Sequence, residues 1–292
     1  MLNAETRLNP TAPRLRDAFE DQSIRHIVEF SMDQIDEGLP SWARRSHPVI
    51  RRHLGSYWKT FTPDITVLGR LFSGFAIITL LSAFIPTMYT LLVPTVTVSL
   101  VMLPAAGWLY VNLLYNVGSF AAATVNSERR HNTLDILRST PLELREILLC
   151  KGAASIWRYI EDLNLVTISV LLTSLPLLMI LYNTLLNDLD NPLLIAIVVV
   201  AALASVTLRI VLETIMIAAM GMLMGATNFA RSAAVVSTVL IGVGYFVLLN
   251  GARLVPFGSF YVILVEIVAP LVLPIAITIG CLFLTIYLLQ RD

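Results

Sequence analysis

Charge is scarce in this chain, and its distribution matters more than its amount. Only 14% of the residues are charged, against about a quarter in soluble domains. Leu71–Ser127 holds no Asp, Glu, Lys or Arg, and further uncharged runs cover Leu163–Asn187, Asn191–Leu208, Thr214–Ala230, Ser232–Ala252 and Ile267–Gln290. About 20 apolar residues span a bilayer core as a helix, so runs of this length exclude a soluble helical core. Lysine is nearly missing: Lys59 and Lys151 are the only two. Net charge is zero and the basic clusters flank apolar runs, which leaves no basic face for a nucleic acid. There are two cysteines, Cys150 in a polar segment and Cys281 in the last apolar run, so no disulfide framework is expected.

Motifs are missing too. The chain has no G-x-x-x-x-G-K-[ST], and neither lysine follows a glycine-rich approach, so it has no means of cradling ATP phosphates. It has no H-E-x-x-H and no G-x-S-x-G, which argues against an intramembrane hydrolase. His26, His47, His53 and His131 lack ligand spacing, and no metal site is expected. The polar stretch ahead of residue 70 does not have the layout of a cleavable signal peptide.

What remains is an all-α polytopic membrane protein. Six transmembrane helices read approximately as 70–92, 96–126, 160–182, 193–223, 231–249 and 270–290, with a tight turn at Val93-Pro94-Thr95 between the first two. Residues 1–40 form a polar N-terminal extension with eight acids and four arginines, and 41–292 form the six-span domain. Residues 47–61 predict an amphipathic helix: Pro48 suits its first position, with Val49, Ile50, His53, Leu54, Tyr57, Trp58 and Phe61 on one side and Arg51, Arg52, Ser56 and Lys59 on the other. An apolar stripe opposite cations predicts a helix in the membrane interface, the alternative being one docked on protein. Residues 251–269 are too apolar for an ordinary loop and too short for a span, and read as a dip into the outer leaflet with Glu266 near the outer headgroups.

Cations set the orientation. With a cytosolic N-terminus, the inside segments carry fourteen Lys and Arg before the N-terminal extension is counted, and the outside connectors carry only Arg253. Both termini are expected on the cytosolic side.

One long polar segment interrupts the spans. Residues 128–151, ERRHNTLDILRSTPLELREILLCK, predict two short helices with a sharp joint. Asn132 can cap the first; Thr140 caps the second, with Pro141 at its first position and Glu143 closing a capping box. Leu134, Ile136 and Leu137 crowd the first helix with no membrane-length run to bury them, which marks a docking knob for another protein or a helix lying against its own spans.

This segment resembles the coupling-helix motif of type-2 permeases of the ATP-binding-cassette class. That pattern runs Glu, a basic residue, two variable positions, Gly-Thr-Leu-acidic, a variable residue and two leucines, then Thr-Pro-Leu, Glu-Ile-Leu and Gly-Lys. The chain matches at Glu128, Arg129, Thr133, Leu134, Asp135, Leu137, Thr140, Pro141, Leu142, Glu146, Ile147, Leu148 and Lys151. Asn132 and Cys150 stand where glycines are usual, and Ile136 stands one position off a leucine. HPVIRR also looks like the helix that leads into the first span in that family. The resemblance covers 41–292 and implies a permease subunit of an exporter in the prokaryotic plasma (inner) membrane. It implies a separate ATPase subunit that carries the ATP, docked through Glu128, Arg129, Thr133, Leu134, Ile136, Leu137, Thr140 and Pro141, and a second permease subunit, identical or related. No catalytic residue and no bound cofactor are expected on this chain.

Inside the apolar runs, Arg209 and Glu213 lie four residues apart on one helix face. They read either as a polar lining for cargo or as a mutually neutralised pair that locks the fourth span to a neighbour. A secondary transporter or channel, and a non-transporting scaffold or sensor, are the alternative readings of the whole chain.

Overall fold

The computed structural model describes residues 38–55, 65–85, 87–131, 142–185, 191–227, 230–253, 261 and 263–291. Every regular element among them is helical. In chain order they are α1 (Pro48–Leu54), α2 (Ile65–Ser82), α3 (Thr87–Arg130), α4 (Leu144–Arg158), α5 (Ile160–Leu185), α6 (Pro192–Ala226), α7 (Arg231–Arg253) and α8 (Ala269–Arg291). A single 3-10 turn at Ser41–Ala43 precedes α1, and a π-helical turn at Leu264–Val268 runs directly into α8.

Among the described residues, five stretches are long and apolar enough to cross a membrane: Pro94–Arg130, Ile160–Leu178, Pro192–Ala226, Arg231–Arg253 and Leu264–Arg291. The pattern of burial agrees with a bilayer as solvent. Trp108, Leu248 and Phe283 are more than 70% exposed, while Glu213 and Lys151 are at most 1% exposed. In water such an apolar surface would be an aggregation liability; against lipid it is the expected outside of a polytopic membrane protein.

Three boundaries differ from those the sequence predicts. The first break falls at 83–85, since Pro94 and Pro104 both lie inside the continuous 44-residue helix α3. Two prolines compete for the break, and Ile85 ahead of Pro86 is disfavoured in helical geometry just as Val93 is. The chain leaves the helix there through bonds that reach back three residues instead of four, from the Ala83 and Phe84 N–H groups to the Leu80 and Leu81 carbonyls. Helix α2 is therefore 18 residues long, about 27 Å, slightly short of a 30 Å hydrocarbon core. The second difference is at the ends of the 251–269 connector, where α7 continues to Arg253 and helical backbone resumes by Leu264; 254–260 and 262, where the dip into the outer leaflet is expected, lie outside the described residues. Pro270 and Pro274 are accommodated inside the last helix, the π-turn preceding them, and Ser205 Oγ of α6 donates to the Ile267 carbonyl at 3.1 Å. The third is the start of α4. It begins at Leu144 with Glu143 in the N-cap position, so Thr140 and Pro141 do not open it. Leu142 and Leu144 both pack on the main core, which fixes where the helix begins.

Helix α1 keeps Arg51 and Arg52 exposed and buries Val49, Ile50 and Leu54 within the main core beside α4. The Val49, Ile50 and Leu54 part of the predicted stripe is thus covered by protein, and Tyr57, Trp58 and Phe61 lie outside the described residues. The helix stops at Gly55, whose φ of +54° is open only to residues without a Cβ penalty.

Helix α6 is the hub, packing on α2, α3, α4, α5, α7 and α8. Its start is secured locally: Asn191 accepts from the Leu193 N–H at 3.1 Å, and Pro192 takes the first position. Against α3 the contact is backbone to backbone. A Cβ on Gly221 would sit 2.5 Å from the Gly118 carbonyl oxygen, and one on Gly225 2.5 Å from that of Ala122. This G-x-x-x-G spacing lets two membrane helices approach without side chains between them. Gly225→Val is accordingly expected to separate α3 from α6 and abolish the monodisperse folded species in detergent, as read by size exclusion. A variant that melts within a degree or two of the parent would refute the close packing.

Candidate functional site

The polar segment between α3 and α4 has its feet in the described structure. Asn132–Pro141 lie outside the described residues, and with them Thr133, Leu134, Ile136, Leu137, Thr140 and Pro141. Glu128, Arg129 and Lys151 are the parts of the predicted docking element whose geometry is visible.

These feet are bound to one another. Lys151, 1% exposed, donates its ammonium to Glu128 Oε2, and Glu128 is itself 7% exposed. Burial, with Arg52 as a smaller contributor, draws the lysine below its ordinary range, and the carboxylate in contact is what makes a buried ammonium tenable. His53 of α1 stands 3.4 Å from the other oxygen of Glu128. Burial, then Lys151 and Arg52, pull His53 down to about 4. It is neutral at pH 7 and so adds no positive charge beside Glu128. Arg129 donates to the carbonyl of Ala226, the last residue of α6, satisfying one of the carbonyls a helix end leaves open. Three helices therefore meet at the base of the segment, and α1 closes over them.

The residues ahead of α1 are strapped to α4. Trp157 Nε1 donates to the Ala43 carbonyl at 2.8 Å, and the Arg45 guanidinium lies 4.7 Å above the Trp157 ring. Cys150 Sγ lies 3.3 Å from His47 Nδ1, and His47 Nε2 lies 3.9 Å from Glu146. A thiol, an imidazole and a carboxylate in sequence resemble the parts of a nucleophile. Burial, with Glu146 adding, instead pushes the Cys150 thiol up to about 11, so it stays protonated and inert. Among the described residues no group of His, Cys, Asp and Glu is arranged to hold a metal.

The second candidate is the intramembrane pair. Arg209 Nε donates to Glu213 Oε1 at 2.6 Å. Two tyrosines join them: Tyr245 of α7 donates to Oε1 at 3.0 Å, and Tyr110 of α3 donates to Oε2. Glu213 is completely buried, and its carboxylate ties α3, α6 and α7 together. Glu266 pairs with Arg253 at 2.9 Å, so its charge is met by protein. Beside the network lies an apolar cavity of about 400 Å³ walled by Trp108, Tyr115, Ile217 and Phe246, with Asn112 and Ser119 as polar points.

Sequence reasoning paired Arg209 with Glu213, and missed Tyr110, Tyr245, the Glu128–Lys151 contact, His53 and the small-residue seam. Only the seam left a sequence signal, the spacing of Gly221 and Gly225 in an apolar run. Comparisons of this chain with protein-family models, with curated proteins and with solved structures find no match.

Proposed function

We propose that this chain is the six-span permease subunit of an ATP-driven exporter, paired with a second permease subunit and driven by a separate ATPase at the cytosolic face of a prokaryotic plasma membrane. The observation that carries the reading is the motif between the second and third spans, in which both the residue types and the topological position agree. The Glu128–Lys151 contact supports it: the first and last matched positions of the motif hold its base closed, so a partner pressing on 132–141 would push on α3 and α4 together. The Arg129 bond carries that push to α6. In such a cycle, closure of the ATPase pair would rock the attached helices and turn the pathway from one side of the membrane to the other. The described helices bring few ionisable groups to the membrane interior, and those at Glu213 satisfy one another, which weakens the gradient-driven alternative.

Topology and partnership test the proposal directly. In a background with Cys150→Ser and Cys281→Ser, single cysteines at Asn187 and Gly251 are expected to react with an impermeant maleimide from outside. Cysteines at Asn132 and Gln22 are expected to react only after the cytosolic face is opened. Affinity purification of the parent chain from its host should bring down a P-loop ATPase. An Asn132→Cys chain labelled from outside ends the reading, because no cytosolic ATPase reaches a segment on that face.

A further inference from the structure

A second apolar cavity, of about 330 Å³, opens between the 39–43 strap, α4, α6 and α8. Its wall includes Ala153, Ile156, Ile215 and Leu282, with Leu39 and Trp42 on the strap side, where the described chain begins. Ala153 and Ile156 are only half-buried. The strap itself is anchored, because Trp157 Nε1 donates to the Ala43 carbonyl and Arg44 Nε to the Leu39 carbonyl, each at 2.8 Å. Directly upstream, the sequence carries an apolar stripe that belongs to no span. Ile24, Ile27, Val28 and Ile35 recur at i, i+3, i+4 and i+11, one face of a helix, while Arg25, Glu29, Asp33 and Asp36 fall on the other. Pro40 ends such a helix by Leu39. This helix is an expectation from sequence, since residues 1–37 lie outside the described residues.

We infer that this cavity is the seat of the chain's own N-terminal segment, residues 24–35, which docks its isoleucine and valine stripe between α4, α6 and α8. Connectivity is the first argument. Ile35 is four residues from Leu39, itself a wall residue, and Val28 is eleven. A chain spans at most about 3.6 Å per residue, so the stripe stays within about 40 Å of the wall. A tether this short holds a local concentration in the millimolar range, which favours the segment over a free partner or a second copy of similar fit. Size is the second. A cavity of about 150 Å³ accepts a benzene ring, so this one takes about two side chains of that bulk. That suits successive knobs from one stripe and is too small for a whole helix. Charge is the third. Residues 21–37 carry five acids against one arginine. A helix that lies in the membrane interface uses Lys and Arg on its polar face to meet anionic lipid, and an acidic face is repelled there. Beside the cavity it meets Arg44, which is exposed and bonded to the Leu39 carbonyl. The inference is independent of the permease reading and of any ATPase partner.

The test uses the full chain in mild detergent, with Cys150→Ser and Cys281→Ser as background. Ile35→Cys with Ile156→Cys is expected to close a disulfide within one chain on mild oxidation. Asp33→Cys with Ile156→Cys, which moves the thiol to the acidic face, is expected to link at least tenfold less. A single Ala153→Cys gives the second arm: a maleimide labels it slowly, and at least tenfold faster once Ile27→Glu and Val28→Glu are added. Those two changes fall outside the described fold and leave its core untouched. A link that forms equally well with Ile27→Glu and Val28→Glu reports the tether alone and overturns the inference. Links between chains give the cavity to a second copy and overturn it too. No link, with Ala153→Cys equally slow in both backgrounds, gives the cavity to lipid or detergent. No link with equally fast labelling leaves the segment elsewhere, at the membrane surface or in solution. Either result overturns the assignment.

Discussion

Replacing Leu134 and Leu137 together by alanine is expected to release the ATPase and abolish transport-coupled ATP hydrolysis while the chain still inserts. The two leucines sit in a segment too short and too polar to bury them in its own span, between feet that are themselves clamped. If an ATPase groove receives them, they are the buried anchors and the surrounding charges the rim. Truncating such an anchor costs about 2 kcal/mol or more, so losing both weakens association by up to roughly a thousand-fold. Arg138→Gln removes a rim charge and should chiefly slow association. Co-purification and ATPase assays in proteoliposomes read both effects. A double variant that keeps full association and transport would leave the segment as a helix lying against its own spans, and would move the scaffold and gradient-driven readings ahead.

The intramembrane network gives the other large effect, and its geometry sharpens the test. Glu213→Leu strips the partly buried Arg209 guanidinium of its partner, and breaking a buried pair costs about 3–5 kcal/mol, enough to lose the folded protein. With Arg209→Leu added, the charge is gone, yet Tyr110 and Tyr245 still lose the carboxylate that accepts from both. Each stranded hydroxyl costs about 1–3 kcal/mol, so the pair alone does not restore stability. Full recovery is expected only when Tyr110→Phe and Tyr245→Phe are included. The order quadruple, double, single in melting temperature would identify a lock between helices. A quadruple variant that melts like the parent but no longer transports would instead place the network on the cargo pathway.

The fold was legible in proportion to how much of it is composition. Uncharged runs located the stretches around α5 to α8 within a few residues, because lipid tolerates few alternatives there. Boundaries set by single residues were harder. Pro86 and Pro94 offer the same local signal, and nothing in the sequence around them tells that α3 runs through the second. The same holds at α4, where Thr140-Pro141 is a good local start and Leu142 and Leu144, drawn into the core, set the helix three residues later. At the candidate site, spacing along one helix revealed Arg209 and Glu213. Tyr110, Tyr245 and the Glu128–Lys151 contact join residues on different helices, and one sequence carries no register for that. His53 looked like one more residue on an amphipathic helix until Glu128 stood opposite it.

The seam at Gly221 and Gly225 has a mechanical consequence. Where helices meet through side chains, rotamer changes can absorb a push within a fraction of an ångström. Here the α6 glycines face α3 carbonyls directly, with the Cβ atoms of Ala121 and Val125 beside them and no long side chain between the two backbones. Helices α3 and α6 must then turn as one stiff body. Thr87–Arg130 is a rod of about 66 Å, so a rotation of only about 5° about one end sweeps the other through about 6 Å. A tilt of α3 about its contact with α6, near Gly118 and Ala122, would thus swing the Thr87 end farther than the Arg130 end and in the opposite sense.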